Sequence, residues 1–324
     1  KLELEDAANP RLIYAGSVLY LITREPSGSG TDIEIRTVDT STLALGAATT
    51  LATLTASTDR FDTAPVENAA TWVIAFPDSA NVMRVHVMSG AASSVNTTVA
   101  TTDSSVDGIG IAACAGEYVC IAYYDNAVMR AAVLDTATLA TSGAIFNVRA
   151  AAGSEVYAHR CGVVRVDVNE FQVIGGGDDS DAAPTLDTQF IISARVDPSA
   201  VVPLGGPFKY WHYHATSKPW AVGADDQKRV YIWASNNGSA SGAFWDLQGR
   251  QFILDVTADQ ATIDGVAYEH RPPMLDSSGL TVAHLPEVGS LGSGRLVTVL
   301  PWSEIGPTAG IDVAVWSAAL SSAS

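Results

Sequence analysis

The chain has 324 residues, a formal net charge of -17 and only 16% charged residues. This acidic balance excludes sequence-specific nucleic-acid binding and attachment to an anionic membrane, because both need clustered Lys and Arg. No apolar run reaches the roughly 18 residues of a membrane-spanning helix, so no membrane insertion is expected. Apolar residues make up 47% and recur along the whole length, which predicts a folded protein. The first residue is Lys1, so we expect a processed product or a piece of a longer protein.

Short apolar segments, rich in β-branched and aromatic residues, are separated by clusters of Gly, Pro, Asn, Asp and Ser. This pattern is typical of many short β-strands, and no amphipathic helix is predicted. Near-continuous apolar segments are expected where both faces of a sheet are buried. The six clearest strand candidates are, in chain order, 18–22, 72–76, 118–123, 171–174, 230–233 and 296–300.

The sequence repeats itself with a period of about 47 residues. A Val-Met-Arg triplet that ends at Arg84 occurs again, ending at Arg130. The hexapeptide Asp-Thr-Ser-Thr-Leu-Ala that begins at Asp39 recurs with one change from Asp135, after two periods. Four antiparallel strands in a period of about 40 to 50 residues form the blade of a β-propeller.

The chain is therefore predicted to be all-β, a single β-propeller domain over residues 1–324 with about six four-stranded antiparallel blades. The last blade lacks a fourth strand, and residues 1–6 are expected to supply it and close the propeller through pairing of N- and C-terminal strands. An array of sandwich domains would need about 100 residues for each repeat. The predicted blades are 10–55, 58–101, 106–148, 155–204, 208–263 and 267–320.

The densest group of aromatic and basic side chains lies between residues 208 and 220. Aromatic faces with polar tips suit contacts with a sugar or a protein. A junction between blades that is packed with aromatic residues is the alternative, and a metal site lacks a third ligand nearby. We predict a ligand- or partner-binding site with no metal and no cofactor. Its residues are Tyr210, Trp211, His212, Tyr213, His214, Lys218 and Trp220.

Three further features are given structural roles. The glycine-rich acidic segment 175–181 is predicted to be a hairpin loop, with calcium binding as the alternative. Arg84 and Arg130 recur by blade and are expected to pair with an acidic residue of the adjacent blade. The chain has three cysteines, an odd number that gives no complete disulfide framework. They are expected to be small core residues: Cys114, Cys120 and Cys161.

No catalytic residue is predicted. The chain has no Gly-x-Ser-x-Gly nucleophile elbow. The Ser-x-Asp-x-Gly-x-Thr-Trp turns of sialidase-type propellers are absent, as are Trp-Asp repeats at the blade ends and recurring kelch-type double glycines. Glycoside hydrolysis needs two neighbouring carboxylates. A chain with 35 acidic residues always offers such pairs, so their presence does not distinguish an enzyme from a non-enzyme. The sequence thus predicts a protein that is not an enzyme.

With its low charge, weak motifs and abundance of Ala, Thr and Gly, the repeated pattern resembles the propeller portions of short-tailed phage nozzle and DNA-stabilisation proteins over residues 1–320. The resemblance is architectural and transfers no functional residue. It implies a non-enzymatic structural protein of a phage tail, located in the virion, that contacts other virion proteins and forms a homo-oligomeric ring. In such a tail, an acidic channel wall lets DNA slide past, because like charges repel.

Two alternatives stay open. One is a receptor- or glycan-binding propeller at a tail tip or cell surface, whose partner is a surface glycan held by the segment 208–220. The other is an extracellular carbohydrate-active enzyme, for which two or more carboxylates should converge near the propeller axis and one should have a raised pKa.

Overall fold

The computed structural model is an all-β protein. Side chains are described up to residue 202 and only the backbone of strands is described beyond it. The described residues are 8–27, 30–54, 61–66, 69–78, 80, 82–101, 107–113, 117–140, 145–153, 155–157, 161–167, 169–179, 188–203, 208–212, 220–224, 230–237, 245–255, 260–263, 268–270, 280–281, 287–292, 295–304 and 309–317.

The chain divides into two compact units. The first consists of Lys1–Ala150, Val168–Phe171 and Val196–Ala200, and the second of Ala151–Asp167, Gln172–Arg195 and Val201–Ser324.

The first unit contains three four-stranded antiparallel sheets, and each sheet has its strands side by side in chain order. The first sheet consists of β1 (Ala8–Ala15), β2 (Val18–Ser27), β3 (Gly30–Val38) and β4 (Thr49–Leu54). The second consists of β5 (Asp62–Pro65), β6 (Thr71–Pro77), β7 (Val82–Ser89) and β8 (Ala92–Thr101). The third consists of β9 (Asp107–Ala113), β10 (Tyr118–Asp125), β11 (Val128–Asp135) and β12 (Phe146–Ala150).

Three further sheets, mainly in the second unit, have interrupted outer strands. The fourth consists of β13 (Glu155–Tyr157), β14 (Gly162–Arg165), β15 (Phe171–Asp179), β16 (Thr188–Val196), β17 (Val201–Pro203) and β18 (Phe208–His212). The fifth consists of β19 (Trp220–Ala224), β20 (Val230–Asn237), β21 (Trp245–Asp255), β22 (Gln260–Ile263) and β23 (Tyr268–His270). The sixth consists of β24 (Leu280–Thr281), β25 (Glu287–Gly292), β26 (Arg295–Glu304) and β27 (Ala309–Ser317).

This architecture confirms the predicted fold class of repeated four-stranded antiparallel sheets. Each of the six apolar segments forms the second strand position of a sheet, namely β2, β6, β10, β15, β20 and β26. Closure by residues 1–6 lies outside the described residues and stays a prediction, as does the single domain.

Strand β6 shows why the apolar segments are nearly continuous. Successive side chains of a strand point to opposite faces of the sheet. Trp72 and Ile74 pack into a core with the first sheet, whereas Val73 and Ala75 pack into a second core with the third sheet. Because the second sheet is covered on both sides, its central strand needs apolar residues at every position.

The repeated Asp-Thr hexapeptide forms the same turn in both copies. The carboxylate of Asp39 accepts hydrogen bonds from the backbone amides two and three residues ahead, at 2.8 and 3.0 Å. Asp135 does the same at 2.9 Å for both amides, and Asp197 repeats the arrangement at 2.7 and 2.8 Å. These are Asx turns, in which a short carboxylate side chain substitutes for a backbone acceptor and reverses the chain.

The glycine-rich segment corrects one prediction. We expected residues 175–181 to form a hairpin loop, but β15 continues through the three glycines to Asp179. The glycines are buried, and Tyr157 of β13 stands opposite Gly177. Pairing with β13 therefore overrides the local tendency of glycine to form turns; residues 180 and 181 lie outside the described residues.

Candidate functional site

The predicted binding segment forms parts of two strands. Tyr210, Trp211 and His212 lie on β18, where His212 stands opposite Thr188 of β16. Trp220 begins β19 of the fifth sheet. The side chains of these residues lie outside the described residues, as do Tyr213, His214 and Lys218 altogether. The segment therefore links the fourth and fifth sheets, and its role in binding stays a prediction.

The described side chains include several arginine–carboxylate pairs. Two of them test the prediction that the recurring arginines have a structural role. Arg84 Nε donates to Asp78 at 2.8 Å. Arg130 Nη2 lies 2.9 Å from Asp125. We predicted acidic partners in the adjacent blade, and this is wrong, because both partners belong to the arginine's own sheet. Each Asp ends or follows the second strand and each Arg lies on the third, so the hairpin itself brings them together.

The first sheet has an equivalent pair. The guanidinium of Arg36 donates to both carboxylate oxygens of Glu25, one of them at 3.0 Å, and Thr23 Oγ1 donates to Glu25 at 2.7 Å. The hydrogen bond from Arg36 holds the pKa of Glu25 below its usual range, against the opposing effect of burial. The Glu25 carboxylate is thus ionised and bonded within its own sheet.

Burial also raises the pKa of Asp78, but the Arg84 hydrogen bond and backbone amides outweigh it, and the pKa is lowered overall. In the third sheet, Tyr123 stands opposite Arg130 and is fully buried. Burial raises the pKa of this phenol to about 12. The phenol therefore stays protonated across the physiological range.

Asp62 is a buried carboxylate with partners in two other sheets, and the sequence analysis missed it. It begins β5 and accepts from Arg11 Nε of β1 and from the backbone amide of Ile111 of β9, each at 3.1 Å. Its carboxylate therefore joins the first strands of three consecutive sheets. No local signal marks it, because its partners lie 51 and 49 residues away along the chain.

These groups have structural roles, since Glu25, Asp78 and Asp125 are paired within their own sheets and Asp62 is bonded across neighbouring sheets. Among the described side chains, no group of three or more His, Cys, Asp or Glu is placed to hold a metal ion. In the described part of the chain, no helix is long and apolar enough to cross a membrane. Cys120 and Cys161 are buried, and Cys114 lies outside the described residues.

Solved structures of similar fold bind or act on carbohydrates. An ulvan lyase has a TM-score of 0.55 and 8% identity, and the alignment covers 94% of this chain and 77% of that one. An α-L-arabinanase of Penicillium chrysogenum, complexed with arabinobiose, has a TM-score of 0.52 at 10% identity, with 97% and 94% covered. The SapL1 lectin, in complex with α-methyl fucoside, has a TM-score of 0.52 at 13% identity, also with 97% and 94% covered. At such identities the likeness shows the fold alone.

No family model matches the chain. A stretch of 102 residues, 31% of this chain, is 33% identical to Aladin from Arabidopsis thaliana. The match spans 20% of the length of that protein.

Proposed function

We propose that this protein is a glycan-binding propeller whose contact surface is formed by the aromatic segment 208–220. The observation that carries the proposal is the similarity of fold, over nearly the whole chain, to a lectin in complex with α-methyl fucoside. That likeness favours the glycan-binding alternative over the virion role. The phage tail location, the virion partners and the homo-oligomeric ring gain no support from the comparisons and stay predictions.

The composition of the segment fits a sugar ligand. Trp211 and Trp220 supply flat apolar faces on which a sugar ring can stack, while His212 and Lys218 supply hydrogen-bond donors. Trp211 and Trp220 lie on strands β18 and β19, and a tryptophan side chain has only two χ angles to fix on binding.

The charge of the chain narrows the class of glycan. A net charge of -17 repels sulfated and uronic-acid polymers at low ionic strength. Neutral sugars, which carry no charge to be repelled, are therefore the ligand class that we propose.

The test begins with the full chain on a panel of neutral and anionic glycans, followed by calorimetric titration of any neutral glycan that binds. Trp211→Ala and Trp220→Ala are expected to weaken binding by about tenfold or more, as truncation of an aromatic anchor does. Trp302→Ala, a tryptophan outside the segment, is the matched control, and circular dichroism checks that each variant folds. Unchanged affinity in both segment variants, or binding of anionic glycans only, would refute the proposal.

A carbohydrate-active enzyme is the second candidate, because the arabinanase and the lyase share the fold. The prediction that the protein is not an enzyme is correspondingly unsupported. Incubating the full chain with the glycan it binds, and measuring new reducing ends and unsaturated products, separates the two candidates. Accumulation of either product identifies an enzyme, and an unaltered glycan identifies a binding protein.

A further inference from the structure

A partly buried imidazole faces the core that the first and second sheets share. His86 on β7 stands opposite Ile74 on β6, and Ile74 belongs to the core that the two sheets share. Because paired residues share a face, His86 points toward the first sheet. Its ring lies 5.1 Å from that of Phe76. Among the described residues its Nδ1 atom is buried without a hydrogen-bond partner.

Arginines are the described charged residues on the two surfaces that face each other at His86, and the charge of Arg84 acts on its ring. Arg84 lies on the same face of β7, and Arg11 and Arg24 lie on the facing surface of the first sheet, opposite core isoleucines. The first and second sheets face each other across this core. Among the described residues on these two surfaces, no charged side chain comes from β3, β4, β5, β6 or β8. The titratable or charged residues there are Arg11, Tyr20, Arg24, Arg84 and His86, and Asp62 and Asp78 are bonded to Arg11 and Arg84.

We propose that the junction of the first and second sheets is an acid-labile joint, which holds while His86 is neutral and loosens when His86 takes up a proton. A proton on this ring creates a cation in a partly buried site whose neighbouring charges are arginines. The two carboxylates near those arginines are already bonded to them. Among the described residues the new charge therefore gains no counter-ion for the hydration that it loses, which favours opening of the two sheets.

The direction of the pH dependence follows from the two states of the chain. Burial, with a smaller contribution from the charge of Arg84, lowers the pKa of His86 from 6.5 to about 4. The open chain binds the proton near pH 6.5 and the closed junction only near pH 4. The contribution of His86 to the stability of the closed junction is therefore fully present above pH 6.5 and declines as the pH falls toward 4. This inference is independent of glycan binding.

Hydrogen exchange of the full chain, read by mass spectrometry at pH 7 and near pH 4.5, measures the opening directly. After correction for the intrinsic pH dependence of exchange, peptides from β2 and β6 are expected to open more readily at the lower pH. The increase in the wild type should exceed that in His86→Gln by about tenfold to a hundredfold, a range that allows for the partial exposure of the ring. His270→Gln removes the imidazole of a residue on β23 of the fifth sheet and should behave as the wild type.

A purely structural role for His86 would shift the exchange of His86→Gln by the same factor at both pH values, and that result overturns the proposal. If His86→Gln does not fold, His86→Asn gives the same comparison. An NMR titration of the wild-type histidine signals provides a check that needs no variant. Titration of all six histidines near 6.5 would also overturn the proposal.

Discussion

Both copies of the repeated turn have a leucine at the same strained backbone position, but the leucine is buried in only one of them. The amides of Leu43 and Leu139 each donate at 2.7 Å to the carbonyl of the aspartate that begins their turn. Both leucines have a left-handed backbone, with φ of 60° and 53°. Leu43 is 54% exposed, whereas Leu139 is 1% exposed and packs in the core between the second and third sheets. Replacement by glycine should therefore have opposite effects at the two sites.

The magnitudes follow from strain, chain entropy and burial. A left-handed backbone costs a residue with a Cβ atom about 1–2 kcal/mol, and glycine adds about 0.5–1 kcal/mol of lost chain entropy. Leu43→Gly should therefore raise the free energy of unfolding by about 0 to 1.5 kcal/mol. Leu139→Gly relieves the same strain but loses a buried side chain worth about 2–5 kcal/mol, so its free energy of unfolding should fall by about 0.5–5 kcal/mol.

Urea unfolding of the full chain, followed by fluorescence and circular dichroism, measures both changes. Leu43→Ala and Leu139→Ala are the matched controls, because alanine keeps the Cβ atom and so keeps the strain. Leu43→Gly should be more stable than Leu43→Ala. If the two glycine variants lose equal stability, the argument from strain and burial is refuted.

Two further predictions concern aspartates. Asp62→Ala leaves the Arg11 guanidinium and the Ile111 amide without their buried acceptor, and should lower the free energy of unfolding in urea by about 3–5 kcal/mol. A loss of under about 1 kcal/mol would mean that Asp62 does not hold the three first strands together. Hydrogen bonds from Ser41, and then from Thr42, lower the pKa of Asp39 from 3.8 to about 2. The contribution of the Asp39 carboxylate to stability is therefore fully present above pH 3.8 and is lost as the pH falls through 2. Asp39→Asn should flatten this part of the stability profile, and an unchanged slope would contradict the Asx-turn assignment.

The sequence alone determined the strands and their repetition. The strand signal is local, since apolar β-branched segments between turn residues favour the same extended backbone wherever they occur. The hexapeptide at Asp39 and Asp135 forms the same turn twice, because the hydrogen bonds within it join residues two to five positions apart. The segment 208–220 was likewise found from composition, and its backbone contributes to β18 and β19.

Only the tertiary structure decided which side chains meet across sheets. Identical turns left Leu43 exposed and buried Leu139, because burial depends on whether a neighbouring sheet covers that face. The Asp62 contacts join strands about 50 residues apart, a distance over which no local pattern identifies a partner. The glycine-rich end of β15 is a strand because β13 pairs with Gly177 and the two aspartates that follow it. Local hydrogen bonds can be predicted from neighbouring residues, whereas packing depends on how whole sheets stack.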